Sequence, residues 1–92
     1  MQFNPTELEL LIMRALDHHP WYPPKAIAEH AGLADALPRV RSALSELRRF
    51  HMVESDGRLG AGAAGRYCLT AAGEAVLIDT LRRRALELTA AA

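Results

Sequence analysis

The stretch Val40-Arg41-Ser42-Ala43-Leu44-Ser45-Glu46-Leu47-Arg48-Arg49-Phe50-His51-Met52-Val53 decides how this chain folds. Val40, Ala43, Leu44 and Leu47 recur at the i, i+3, i+4, i+7 spacing of a helix with one buried face. Arg39, Arg41, Ser42, Ser45, Arg48 and Arg49 fill the face that remains. Asp35 is a candidate cap, and Pro38 falls in the first turn, where proline is tolerated. The spacing predicts a helix over about 36–50, closed by Phe50 and His51. Met52 to Asp56 then reads as a strand.

Working outward, the segment after that strand is rich in glycine, from Gly57 to Gly65. Arg66-Tyr67-Cys68-Leu69-Thr70 alternates with the period of a strand and puts Tyr67 and Leu69 on one face. Residues 52–70 therefore read as a hairpin with a loose tip. Thr70 caps a last helix over about 71–89, with Leu77, Leu81, Ala85 and Leu88 along one stripe. Upstream, Asn4, Pro5 and Glu7 read as cap, first helical residue and capping-box acid of a helix over about 5–18. Phe3 and Leu8 have the spacing of a hydrophobic staple, and Leu8, Leu11, Ile12, Ala15 and Leu16 form the expected core stripe. Trp21-Tyr22 suggests a short extra strand. Pro24 opens a second helix over about 24–31 that faces inward through Ile27 and Ala31 and stops at Gly32.

The reading is mainly α with a small β-hairpin, in the order α-α-α-β-β-α, as one domain over residues 1–92. At 92 residues the chain has room for one core. Its apolar runs fall far short of the roughly 20 residues that a membrane span needs. It has one cysteine, Cys68, and shows no secretory signal, which points to a cytoplasmic setting. Formal net charge is zero, but the charge is unevenly placed. Residues 1–34 carry −2, residues 35–66 carry +2 from six arginines against four acids, and the rest balances. The positive excess thus coincides with the third helix and the hairpin.

Two stretches carry a resemblance to a known family. Residues 40–53 are similar to the recognition helix, and its exit into the wing, of winged helix-turn-helix regulators of the MarR and PadR kind. Tyr67-Cys68-Leu69-Thr70-Ala71-Ala72-Gly73-Glu74 resembles the pattern that ends their wing. The likeness covers roughly residues 6–80. Where the family has glycine at the helix exit, this chain has His51, a residue type that tolerates the left-handed conformation. The resemblance implies a repressor-like regulator that binds double-stranded DNA, with the third helix in the major groove. It also implies a homodimer built on the terminal helix, for which Leu77, Ile78, Leu81 and Leu88 are the candidate contacts.

The chemistry of the residues fits that role. The major groove, about 12 Å wide, admits one helix, and arginine grips guanine there with two hydrogen bonds. Arg39, Arg41, Ser42 and Ser45 lie in the first two turns, where recognition helices meet base edges. Arg48 and Arg49 are placed for phosphates, and Arg58 and Arg66 for wing contacts to the backbone.

Other chemistries find little support. The glycines between the strands have no following Lys-Ser/Thr of a nucleotide loop. His18, His19, His30 and His51 lack metal-ligand spacing, so no metal or other cofactor is expected. Cys68 has no resolving partner for redox switching. No nucleophile–base pair stands out, so an enzyme is not expected. The rival reading is a winged helix that binds another protein and no nucleic acid. Zero net charge favours it, because phosphate neutralisation supplies most non-specific DNA affinity.

Overall fold

The computed structural model describes residues 3–56 and 65–91. The elements run α1 (Glu7–His18), α2 (Pro24–His30), a single 3-10 turn (Ala34–Ala36), α3 (Leu37–Arg49), β1 (Val53–Ser55), β2 (Tyr67–Leu69) and α4 (Ala71–Ala91).

Helix α1 starts two residues later than Asn4 and Pro5 suggest. Its cap is Thr6, whose hydroxyl accepts the Glu9 N–H at 3.1 Å while Glu9 Oε1 accepts the Thr6 N–H at 2.9 Å. This reciprocal pair satisfies two backbone donors and explains how Glu9 comes to be buried. Asn4 and Glu7 therefore do not form the capping box. Phe3 lies against the Phe50 ring, with centroids 5.1 Å apart. The helix is also rotated from the expected stripe: Leu10 and Met13 are buried with Ile12, Ala15 and Leu16, whereas Leu11 is exposed. The run from Leu10 to Met13 is apolar on every side, so periodicity alone did not define its inner face.

After α1 the chain turns at Trp21, which has φ 65°. Tyr22 makes an isolated antiparallel bridge to Tyr67 and not a strand of its own. Helix α2 buries Pro24, Ile27 and Ala28, while Ala31 is half-buried. Its end is a Schellman turn: the Leu33 N–H reaches the Ala28 carbonyl (2.7 Å), the Gly32 N–H reaches that of Glu29 (3.2 Å), and Gly32 sits at φ 75°.

Asp35 lies within the 3-10 turn, and α3 begins after Ala36 without a side-chain cap. The helix anchors itself through Val40, Ala43, Leu44 and Leu47, all buried. It closes in the same way as α2. The Met52 N–H bonds to the Leu47 carbonyl at 2.9 Å, the His51 N–H bonds to that of Arg48 at 3.0 Å, and His51 occupies the left-handed position at φ 61°. Here a histidine does the work usually left to glycine.

Strands β1 and β2 pair antiparallel, with Val53 opposite Leu69, Glu54 opposite Cys68 and Ser55 opposite Tyr67. Helix α4 then begins at Thr70, whose hydroxyl accepts the Gly73 N–H at 2.9 Å. A side chain at Gly73 would overlap the Met52 carbonyl, so glycine is what lets α4 lie directly on the start of β1. Leu77 completes a core shared with α1, α2, α3 and β1. No helix among the described residues is long and apolar enough to cross a membrane.

Candidate nucleic-acid interface

The outward face of α3 follows from its anchoring. With Val40, Ala43, Leu44 and Leu47 inside, a period of 3.6 puts Ser42, Ser45 and Arg49 along the crest. Arg39 and Glu46 flank the crest on one side, and Arg41 and Arg48 flank it on the other. All seven side chains are exposed. A crest of small hydroxyls between arginines lets the helix backbone approach a surface closely while longer side chains reach to both sides.

The arginines are not equivalent. Arg49 Nη1 lies 3.6 Å from Glu46 Oε1, and its guanidinium sits 5.9 Å from the centre of the Phe50 ring. Its charge is therefore partly engaged within the helix end. Among the described residues Arg39, Arg41, Arg48 and Arg66 make no ion pair, which leaves their charge available to a partner. Arg66 is exposed just before β2, where its carbonyl accepts the Asp56 N–H at 2.8 Å. Arg58 lies outside the described residues. Acidic side chains temper the surface: Glu46 on α3, and Glu54 and Asp56 on the stem of the wing, are exposed.

The residues singled out for dimerisation divide. Leu77 is enclosed in the core at 2% exposure, so it has no surface to offer a second chain. Ile78 and Leu88 are 52% and 74% exposed, and Leu81 is half-buried.

Two further features bear on chemistry. Cys68 is half-buried, and burial together with Glu54 and Glu74 pushes its thiol up from the ordinary value, which keeps it protonated and unreactive. Among the described residues no three His, Cys, Asp or Glu side chains converge as a metal ion would require. The structure does, however, bring His18, His19 and His30 together with Tyr22 through ring contacts. Sequence spacing gave no sign of this, because the grouping depends on how α2 folds back on α1.

The architecture has a counterpart among solved structures. It superimposes on the crystal structure of a MarR family transcription regulator with a TM-score of 0.73 and 22% sequence identity. The match covers 95% of this chain and 64% of that one, so this chain spans about two thirds of that protein's length. No family model matches the chain, and no curated protein does. Element order, antiparallel hairpin and superposition together make the fold a winged helix.

Proposed function

We propose that the chain, a single winged helix domain, is a sequence-specific double-stranded DNA-binding transcriptional regulator acting as a repressor. The observation that carries this reading is the outward face of α3, fixed from behind by four core residues and offering Arg39, Arg41 and Arg48, which make no ion pair among the described residues. In this reading α3 enters the major groove, Arg39, Arg41, Ser42 and Ser45 meet base edges, and Arg48 and Arg49 meet phosphates. Arg66 reaches the flanking backbone, and Arg58, outside the described residues, is assigned to the same contact. The protein works in the cytoplasm, without cofactor or catalysis, by occupying a promoter.

A homodimer is part of the same reading. Ile78, Leu81, Ala85 and Leu88 recur at the alternating three- and four-residue steps of a coiled-coil seam. Leu81 also packs against the domain's own core, and the seam continues beyond it through Ala85 and Leu88, both exposed. Two α4 helices joined there would present paired recognition helices to half-sites about 34–36 Å apart. Light scattering at micromolar concentration distinguishes a dimer from the 10.1 kDa monomer, and Leu88→Asp, at an exposed position of the seam, should dissociate the dimer.

The functional test is a mobility-shift titration on DNA fragments at about 50 and 200 mM salt. The wild-type chain should bind selectively and lose affinity steeply with salt, and a variant with Arg39, Arg41 and Arg48 all replaced by alanine should not bind. Absence of any shift at low salt would favour the rival reading, a protein-binding winged helix. Glu46, Glu54 and Asp56 beside the arginines are the observation on its side.

A further inference from the structure

Three aromatic rings meet where the end of α1 and the last turn of α2 come together. His19 lies parallel to Tyr22, with centroids 4.7 Å apart and planes at 7°. It meets the ring of His30 edge-on, at 3.9 Å and 76°. Tyr22 and His30 are 6.0 Å apart, and His18 stands 6.4 Å from His19. The backbone of the same turn holds the wing, because the Tyr67 N–H donates to the Tyr22 carbonyl at 2.9 Å. Beside it Trp21 takes a left-handed conformation that a bulky side chain rarely adopts. One cluster thus links α1, α2 and β2.

We propose that this histidine cluster is an acid-sensitive latch: neutral, it clamps α2 to α1, and protonation of both His19 and His30 frees α2 and loosens α3, which packs on it.

The geometry accommodates one proton but opposes two. Two imidazolium rings this close repel strongly, so the fold tolerates one positive charge on the pair far better than two. The face of Tyr22 attracts a cation at His19, which eases the first proton and does nothing to relieve the second. Burial first, and then the positive charges of His30 on α2 and His18 on α1, hold His19 below the ordinary imidazole range. The remaining charged groups of these helix ends, Asp17 on α1 and Lys25 and Glu29 on α2, are exposed, and β2 contributes Tyr67 through its backbone.

The sign follows. The folded chain binds the His19 proton less readily than the unfolded chain does. Its contribution to stability is therefore fully present above 6.5, the ordinary histidine value, and is lost as pH falls through the depressed folded value. Because α2 packs on α3, the consequence for DNA rests on the regulator reading, whereas the latch itself does not.

The test uses the full chain and its His30→Gln variant, whose altered side chain is exposed in the native fold. Thermal unfolding is followed by circular dichroism from about pH 8 to about pH 5, where only histidine normally titrates. Histidine ring protons are titrated in parallel by NMR. The wild-type Tm should fall across this window, and the fall should shrink in His30→Gln. The His19 resonance should titrate below the ordinary histidine value of 6.5 and move towards it in the variant. An equal fall in both proteins, or a His19 that titrates like free imidazole, overturns the latch. Neither readout requires DNA, so both decide the matter even if no DNA is bound. On a bound fragment, acid should weaken wild-type affinity several-fold more than that of His30→Gln. Equal weakening would overturn the link from the cluster to α3.

Discussion

The hydroxyl of Thr70 donates a 2.6 Å hydrogen bond to the carbonyl of His51 while accepting the N–H of Gly73. One side chain thus fastens the exit of α3 to the first turn of α4. Thr70→Val keeps the shape and removes both bonds. It should lower stability by about 1–2 kcal/mol, as loss of a cap plus a tertiary hydrogen bond does, and Thr70→Ser should restore most of it. Urea denaturation of the three proteins checks this.

At His51 the direction reverses. The residue sits at φ 61°, a conformation that costs an L-amino acid roughly 1–2 kcal/mol and glycine almost nothing. His51→Gly should therefore stabilise the domain by about 0.5–1 kcal/mol, after allowing for glycine's larger loss of chain entropy. His51→Val, β-branched, should destabilise it. The same denaturation series reads both.

Gly73 admits no side chain at all, because a β-carbon there would collide with the Met52 carbonyl, which is backbone and cannot swing aside. Gly73→Ala must push α4 off β1. The expected loss is on the order of 3 kcal/mol. A variant as stable as wild type in urea would show that α4 does not lie this close to β1.

Glu7 and Arg84 tie the start of α1 to α4 through a bidentate contact between exposed side chains. Hydrogen bonding to Arg84 is the main cause holding the Glu7 carboxyl below its ordinary 4.5. Its contribution is present above that value and is lost as pH falls through the lower, folded one. Both groups are open to solvent, so the coupling is small and screened by salt. A double-mutant cycle with Glu7→Gln and Arg84→Gln should show coupling at neutral pH and low salt, and none in about 1 M salt. This acid window lies below that of the histidines, so the two are separable in one pH series.

The parts of this fold that were legible in the sequence are those with a single consistent signal. In α3 the apolar residues form one stripe and polar residues fill the rest, so both its anchor and its outward face could be read directly. Helix α1 offered competing signals. Asn4-x-x-Glu7 and Thr6-x-x-Glu9 both match a capping box, and what decides between them is the burial of Glu9, a tertiary fact. Its apolar residues surround the helix, so the exposure of Leu11 depended on which neighbours packed where. Leu77 and Ile78 are adjacent in sequence, yet one belongs to the core and the other to the surface. The ring cluster of His19, Tyr22 and His30 was invisible for the same reason: it exists only once the Trp21 turn has formed.

The face of α3 also separates two kinds of contact. Arg41 lies in the first turns, on the flank that has no neighbouring acid of its own helix, whereas Arg49 is tied to Glu46 and Phe50. If Arg41 reads a base, Arg41→Ala should cost roughly 1–3 kcal/mol on the preferred sequence and much less on unrelated DNA. Arg49→Ala should weaken binding by a similar, smaller amount on every sequence and reduce the salt slope, as loss of a phosphate contact does. Titrating both variants against a preferred and a scrambled fragment, at two salt concentrations, separates the roles. An Arg41→Ala loss that is the same on both fragments would move Arg41 to the phosphate group and leave Arg39, Ser42 and Ser45 to carry the reading of sequence.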